Sequence, residues 1–142
     1  YWEVYEDENS LGQSLQIGSY RSRDKKTVSW LITPKLNFES LNNPYFGFRT
    51  STSFHDKSEL EVLYSSNFTG SIDQIKKATW YSLTATIASD QNNDQLWIDS
   101  GEIPLNNLDS SIYVAFKYTG SGKTAEDGTF ELDDIRLYEK PQ

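Results

Sequence analysis

The sequence predicts an all-β chain folded as an antiparallel β-sandwich, and three observations lead there. Apolar and polar residues alternate with a period of two over several stretches. Turn-forming clusters punctuate them at fairly regular intervals, and only one short segment has helical character. At 142 residues the chain is long enough for one core and short for two, so residues 1–142 read as a single domain.

Near the start, Trp2 precedes Glu6, Asp7 and Glu8, which read as a charged loop. Ser14 to Tyr20 and Val28 to Ile32 are short strand candidates. Tyr45 to Thr52 sets Phe46 and Phe48 on one side, and Thr50 and Thr52 continue that face. Glu59 to Tyr64 alternates acid and apolar, the pattern of a half-buried strand. Ile72 to Lys77 is the only helix candidate, a turn of helix within a loop. Trp80 to Leu83 and Leu96 to Glu102 are further brief strands. Ser111 to Tyr118 is β-branched and aromatic with the same period. Thr129 to Leu132 starts a last strand that Ile135 to Tyr138 resumes one residue out of phase. Asp133 and Asp134 fill the break, which predicts a β-bulge there. Turn chemistry lies at Asn42-Asn43-Pro44, 67–70, 90–94, Asn106-Asn107 and 120–122. Eight or so short strands so separated make an antiparallel sandwich or jelly roll.

Composition excludes several classes of function. Acids outnumber bases 21 to 13, and a net charge of −8 speaks against a uniform basic footprint for nucleic acid or an anionic membrane. No stretch is apolar for long enough to span a bilayer as a helix. The absence of Cys removes disulfides, thiolate zinc sites and a Cys nucleophile. The sole histidine, His55, sits beside Asp56 and reads as part of a turn, which leaves no basis for a multi-histidine metal site or a catalytic triad. Met is missing even at position 1, so the chain reads as a domain excised from a larger protein.

The most enzyme-like string is Glu131-Leu132-Asp133-Asp134-Ile135-Arg136. Laminarinase-like glycoside hydrolases carry two glutamates on such a strand, about 5–5.5 Å apart for a retaining mechanism. Here Ile135 and Arg136 stand where the second glutamate belongs, so the chain is read as a non-enzyme. The same string offers oxygen ligands for a hard cation: Asp133 and Asp134 at the bulge, near Glu126-Asp127-Gly128. The alternative is that one of them caps the bulge through backbone N–H groups. The loop 90–94 opens like a calcium loop, but Gln95 replaces the required Gly and Gly101 the closing Glu, so it reads as a solvated turn. Gly122-Lys123-Thr124 lacks the upstream glycine and following helix of a phosphate loop. Asn67-Phe68-Thr69 matches a glycosylation sequon, a tripeptide common by chance.

Aromatic side chains are the remaining resource, with four Trp and nine Tyr. Sugar rings present apolar C–H faces that stack on such rings, while nearby polar groups read the hydroxyls. Trp97, which follows a polar loop, and Trp2, near the start, are the candidate exposed platforms; Tyr81, Tyr45 and Phe54 follow at strand ends. Trp30, inside Val28-Ser29-Trp30-Leu31-Ile32, and Trp80 are expected in the core.

Ser29-Trp30-Leu31-Ile32-Thr33-Pro34-Lys35-Leu36-Asn37-Phe38 resembles a signature of choice-of-anchor J and cleaved-adhesin domains. The segments 60–65, 78–83, 100–105 and 112–118 follow in the same order. Gly128-Thr129-Phe130-Glu131-Leu132-Asp133-Asp134-Ile135-Arg136-Leu137 is the most specific of them. The likeness spans roughly residues 28 to 139. It implies a jelly roll akin to carbohydrate-binding modules, carried by secreted or surface proteins of Bacteroidetes-type bacteria. It also implies a structural Ca²⁺ linking the first strand to the last, with Asp133 at the matching ligand position and Glu131 and Asp134 as its neighbours.

The expected function is non-catalytic binding of a polysaccharide or oligosaccharide by Trp97, Trp2, Tyr81 and Tyr45, with a structural Ca²⁺ at Asp133, Asp134 and Glu131. Expected partners are the glycan and neighbouring domains of the parent, with no nucleic acid and no insertion into a membrane. The expected location is extracellular or at the cell surface. The alternative is a protein-interaction or spacer domain of an adhesin with no sugar site.

Overall fold

A computed structural model of the chain describes the backbone at residues 2–6, 13–18, 27–53, 59–89, 96–120 and 129–140, and side chains at 28–52, 59–89, 96–120 and 130–140. The strands are β1 (Trp2–Glu6), β2 (Gln13–Gly18), β3 (Thr27–Ile32), β4 (Leu36–Asn37), β5 (Pro44–Ser53) and β6 (Glu59–Ser65). Then come β7 (Tyr81–Ser82), β8 (Ile98–Asp99), β9 (Ile103–Pro104), β10 (Ser111–Gly120) and β11 (Thr129–Glu139). A 3₁₀ helix covers Ile72–Lys77, where the sequence places its turn of helix.

Two antiparallel sheets face each other. One runs β1-β2-β11-β5-β8, with β9 also on β5; the other runs β3-β10-β6-β7, with β4 also on β10. The expected all-β jelly-roll sandwich is therefore observed. Alternation decides which side chains meet between the sheets. On β5, Phe46, Phe48, Thr50 and Thr52 are all buried; on β10, Ile112, Val114, Phe116 and Tyr118 are buried in turn. Phe48 meets Phe116 edge to face at 4.9 Å, an arrangement contributing about 0.5–1.5 kcal/mol beyond area burial.

Threonine suits the buried face of β5 because its hydroxyl is used. Thr50 Oγ1 accepts from the Ala88 N–H at 2.9 Å. That bond anchors an extended strap, 83–89, which also bonds β6 through Leu83 N–H to Val62 O and reaches Ser100 O through Thr86 N–H. The strap thereby joins the two sheets along one edge.

The expected bulge lies in β11, where pairing with β5 shifts between Asp133 and Arg136. Asp134 takes a left-handed φ of 52°, a conformation that Asp tolerates better than most residues. Some elements differ from the expectation. Residues 2–6, read as leading into a charged loop, form β1, paired with β2. The expected strands at 80–83 and 96–102 contract to two-residue pairings, because the strap and the turn at Gly101 (φ 82°) divert the chain. His55, Phe54 and the loops at 90–94 and 120–128, apart from Gly120, lie outside the described residues. No helix among the described residues is long and apolar enough to cross a membrane.

Candidate functional site

A candidate site lies on the outer face of the five-stranded sheet. Register sets Trp30 opposite Lys117, Ile32 opposite Ala115 and Tyr113 opposite Ser65, so these side chains alternate with the core set and point outward. The connection from β6 to β7, residues 66–80, folds back over them. Its first turn is fixed by the buried Ser65, whose Oγ accepts from the N–H groups of Asn67 (3.2 Å) and Phe68 (3.1 Å). Asn67 Oδ1 accepts from Thr79 N–H at 2.9 Å and closes the far end. The asparagine of the sequon thus has a local structural task.

This fold-back brings four rings together. Trp80 lies 5.2 Å from Trp30 and 5.4 Å from Phe68, and Phe68 meets Tyr113 edge-on at 4.9 Å. Trp80 Nε1–H donates to the Ile75 carbonyl at 3.0 Å, which ties the 3₁₀ helix to the cluster. Gly70, at φ 93°, passes over Tyr113; a Cβ there would come 3.2 Å from the phenolic oxygen. Only glycine combines that φ with that approach.

Between the sheet and this connection lies an open groove of about 660 Å³. Trp30, Ile32 and Tyr113 line it from the sheet side, and Thr33, Pro34 and Lys35 bound it along one edge. Phe68, Gly70, Ile72 and Ile75 complete it from the fold-back. The edge is rigid because Thr33 bonds β10 twice: its N–H donates to Val114 O at 2.9 Å, and its Oγ1 accepts from Val114 N–H at 3.1 Å. Ile72 is 86% exposed, an apolar side chain with no internal surface to cover. The Lys117 ammonium sits 5.2 Å from the Trp30 ring centre. An aromatic floor with few polar groups suits a ligand presenting flat apolar faces and a small number of hydrogen-bonding groups.

One expectation is corrected here. Trp30 and Trp80 are not core residues; both are half-buried on the outer side of the sheet, and Trp30 lines the groove. The core reading fails because residues 28–32 are apolar at both parities except at Ser29, and the apolar cover on the outer side comes from a distant segment. Of the expected platforms, Trp97, Tyr45 and Tyr81 have described side chains, and each packs against different neighbours. Trp97 is half-buried beside the other sheet, with the Arg49 guanidinium 5.7 Å from its ring centre. Its Nε1 and the Arg49 Nε are buried with no hydrogen-bond partner among the described residues. Tyr45, on the outer face of that other sheet, stacks on Tyr138 at 5.8 Å under the Lys140 ammonium. Tyr81 is exposed at the edge strand β7 and packs on Tyr64 at 5.5 Å. Trp2 belongs to β1, but its side chain lies outside the described set.

The outer face of the six-stranded sheet is occupied by paired charges. Arg49 lies 3.8 Å from both Asp133 and Asp134, and Arg136 bridges Asp134 (3.1 Å) and Asp99 (3.3 Å). Arg136 crosses directly over Gly47, where a Cβ would come within 2.9 Å of the guanidinium. Lys140 bonds Glu102 at 2.7 Å, and that hydrogen bond raises its pKa above the ordinary 10.5. Burial raises the Tyr138 phenol above its ordinary 10.0.

The carboxylates expected to hold Ca²⁺ are therefore engaged otherwise. Asp133 and Asp134 face arginines, and Asp133 Oδ1 also caps the bulge by accepting from Asp134 N–H at 2.8 Å. Glu131 is buried, with Ser51 Oγ donating to it at 3.5 Å. Among the described residues no three metal-ligating side chains converge, so these three alone do not fit a calcium ion. The acids at 6–8 and 126–127 lie outside the described side chains.

Solved structures of carbohydrate-binding modules share this sandwich fold. The module TmCBM61, in complex with β-1,4-galactotriose, aligns with a TM-score of 0.55 and 12% identity over 98% of this chain and 88% of its own. The family 30 carbohydrate-binding module of the cellulosomal cellulase Cel9D-Cel44B of Clostridium thermocellum gives 0.54 and 12% over 99% and 83%. At such identity the likeness establishes the fold. No curated protein matches the sequence. The family model described as domain of unknown function DUF5017 matches residues 15–136, which takes in β3, the ring-bearing connection and the bulged β11, and the chain belongs to that family.

Proposed function

We propose that the chain is a non-catalytic module that binds polysaccharide along the outer groove of its five-stranded sheet. The observation that carries this reading is the groove itself, floored by Trp30 and Tyr113 and edged by the exposed Ile72. A pyranose laid on Trp30 or Tyr113 would bury its C–H face, and Thr33, Lys35 and Tyr113 are within the same lining to meet its hydroxyls. Solved structures of the same fold are sugar-binding modules, one of them holding a galacto-oligosaccharide, which supports the reading. The string 131–136 supplies no second glutamate, and its two aspartates are tied to arginines, which supports a binding role.

The likeness of residues 28–139 to choice-of-anchor J domains supports a parent that is secreted or attached to the cell surface. Calcium is a separate proposal, and it requires ligands beyond the described side chains. Melting in excess Ca²⁺ well above melting in EDTA supports it, and coincident melts reject it.

Affinity electrophoresis against a polysaccharide panel tests the main reading. At least one glycan retards the wild type, Trp30→Ala abolishes the retardation, and Trp97→Ala, on the other sheet, leaves it intact. Loss with Trp97→Ala but not Trp30→Ala moves the site to the opposite face. Retardation by no glycan leaves the spacer reading.

A further inference from the structure

The cations of the two outer faces are treated differently. Seven cationic side chains are described. Arg49, Arg136 and Lys140, all beside the six-stranded sheet, have carboxylate partners within 4 Å. Lys35, Lys76, Lys77 and Lys117, on the groove side, have none among the described residues.

These four lysines lie on elements that border the groove. Lys35 lines it, and Lys117 stands over Trp30 at 5.2 Å. Lys76 and Lys77 end the 3₁₀ helix whose Ile72 and Ile75 line it. Among the described residues the lining contains no acid, in a chain where acids outnumber bases 21 to 13. Acids on the described elements that border the groove include Glu59 and Glu61 on β6 and Asp73 in the helix. Glu61 stands opposite Lys117 in register without forming an ion pair within 4 Å.

Resting on the glycan reading above, we propose that the groove selects an acidic polysaccharide. Its sugar faces lie on Trp30 and Tyr113, and its carboxylate or sulfate groups are met by Lys35 and Lys117. A neutral glycan would leave these ammonium groups idle. An anionic one gives them the counter-charge that the opposite face obtains from its own aspartates and Glu102.

Matched chains that differ only in charge provide the test. Polygalacturonate is compared with its fully methyl-esterified form, and a sulfated galactan with the same chain desulfated, by affinity electrophoresis at low salt. At least one acidic chain binds about fivefold or more tighter than its neutral partner, as expected for two partly exposed charge contacts. The gap narrows as NaCl approaches about 1 M, where the screening length falls to about 3 Å. Lys35→Gln and Lys117→Gln each shrink the gap, whereas Lys140→Gln on the opposite face preserves it. Equal binding of charged and neutralised chains in both pairs overturns the acidic preference and leaves the glycan reading standing. Tight binding of a neutral glycan alone does the same. Binding of no glycan in any form overturns both.

Discussion

Ile72→Ser isolates the groove from the fold. Ile72 is 86% exposed, so its removal leaves folding stability within about 0.5 kcal/mol. Full burial of an isoleucine is worth about 1.5–3 kcal/mol, and nearly all of that remains available to a ligand. A glycan lying against one side of the residue covers about half of it, which gives about 1 kcal/mol, or roughly fivefold in Kd. Isothermal titration with whichever polysaccharide retains the wild type, paired with a melting curve, reads both quantities. The expected result is a several-fold weaker Kd at an unchanged Tm. An unchanged Kd at an unchanged Tm would refute the reasoning, because no ligand would then lie along the 3₁₀ helix.

Three further outcomes follow from the same geometry. Ser65→Ala leaves the N–H groups of Asn67 and Phe68 without their acceptor in a buried turn, and urea denaturation should show a loss of about 2 kcal/mol together with weaker glycan binding. Thr50→Val keeps the shape of a fully buried side chain but orphans Ala88 N–H, which costs about 1–3 kcal/mol; a loss below about 0.5 kcal/mol would mean that the strap is not held there. Lys140 and Tyr138 both have folded pKa values above their ordinary 10.5 and 10.0, so the folded state holds protons longer than the unfolded one and stability declines as pH rises above about 10. Lys140→Met should flatten part of that decline in urea midpoints measured from about pH 9 to pH 11.

Strand parity was legible wherever one face is polar. The run from Phe46 to Thr52 and the broken phase at Asp133-Asp134 announce a core face and a bulge, because a one-residue slip moves every side chain to the other side. Parity failed at β3, where residues of both faces are apolar: Leu31 packs on the core while Trp30 and Ile32 underlie the fold-back. The missed signal was the segment 66–80, too long for a hairpin between paired strands and furnished with Phe68, Ile72, Ile75 and Trp80. Trp97 misled because the Arg49 that covers it comes from β5, distant in sequence. Asp133 and Asp134 read equally well as cation ligands or ion-pair partners until the arginines across the bulge were placed. β1 was hidden by the acids that follow it.

Amide chemical-shift mapping of the labelled chain, titrated with an oligosaccharide fragment of its retained glycan, tests the location of the site most directly. The account predicts that the perturbed amides cluster at 30–35, 68–75 and 113, with residues 45–49, 97–99 and 133–138 unmoved. Shifts concentrated on the Arg49–Arg136 face, with the groove silent, would contradict it.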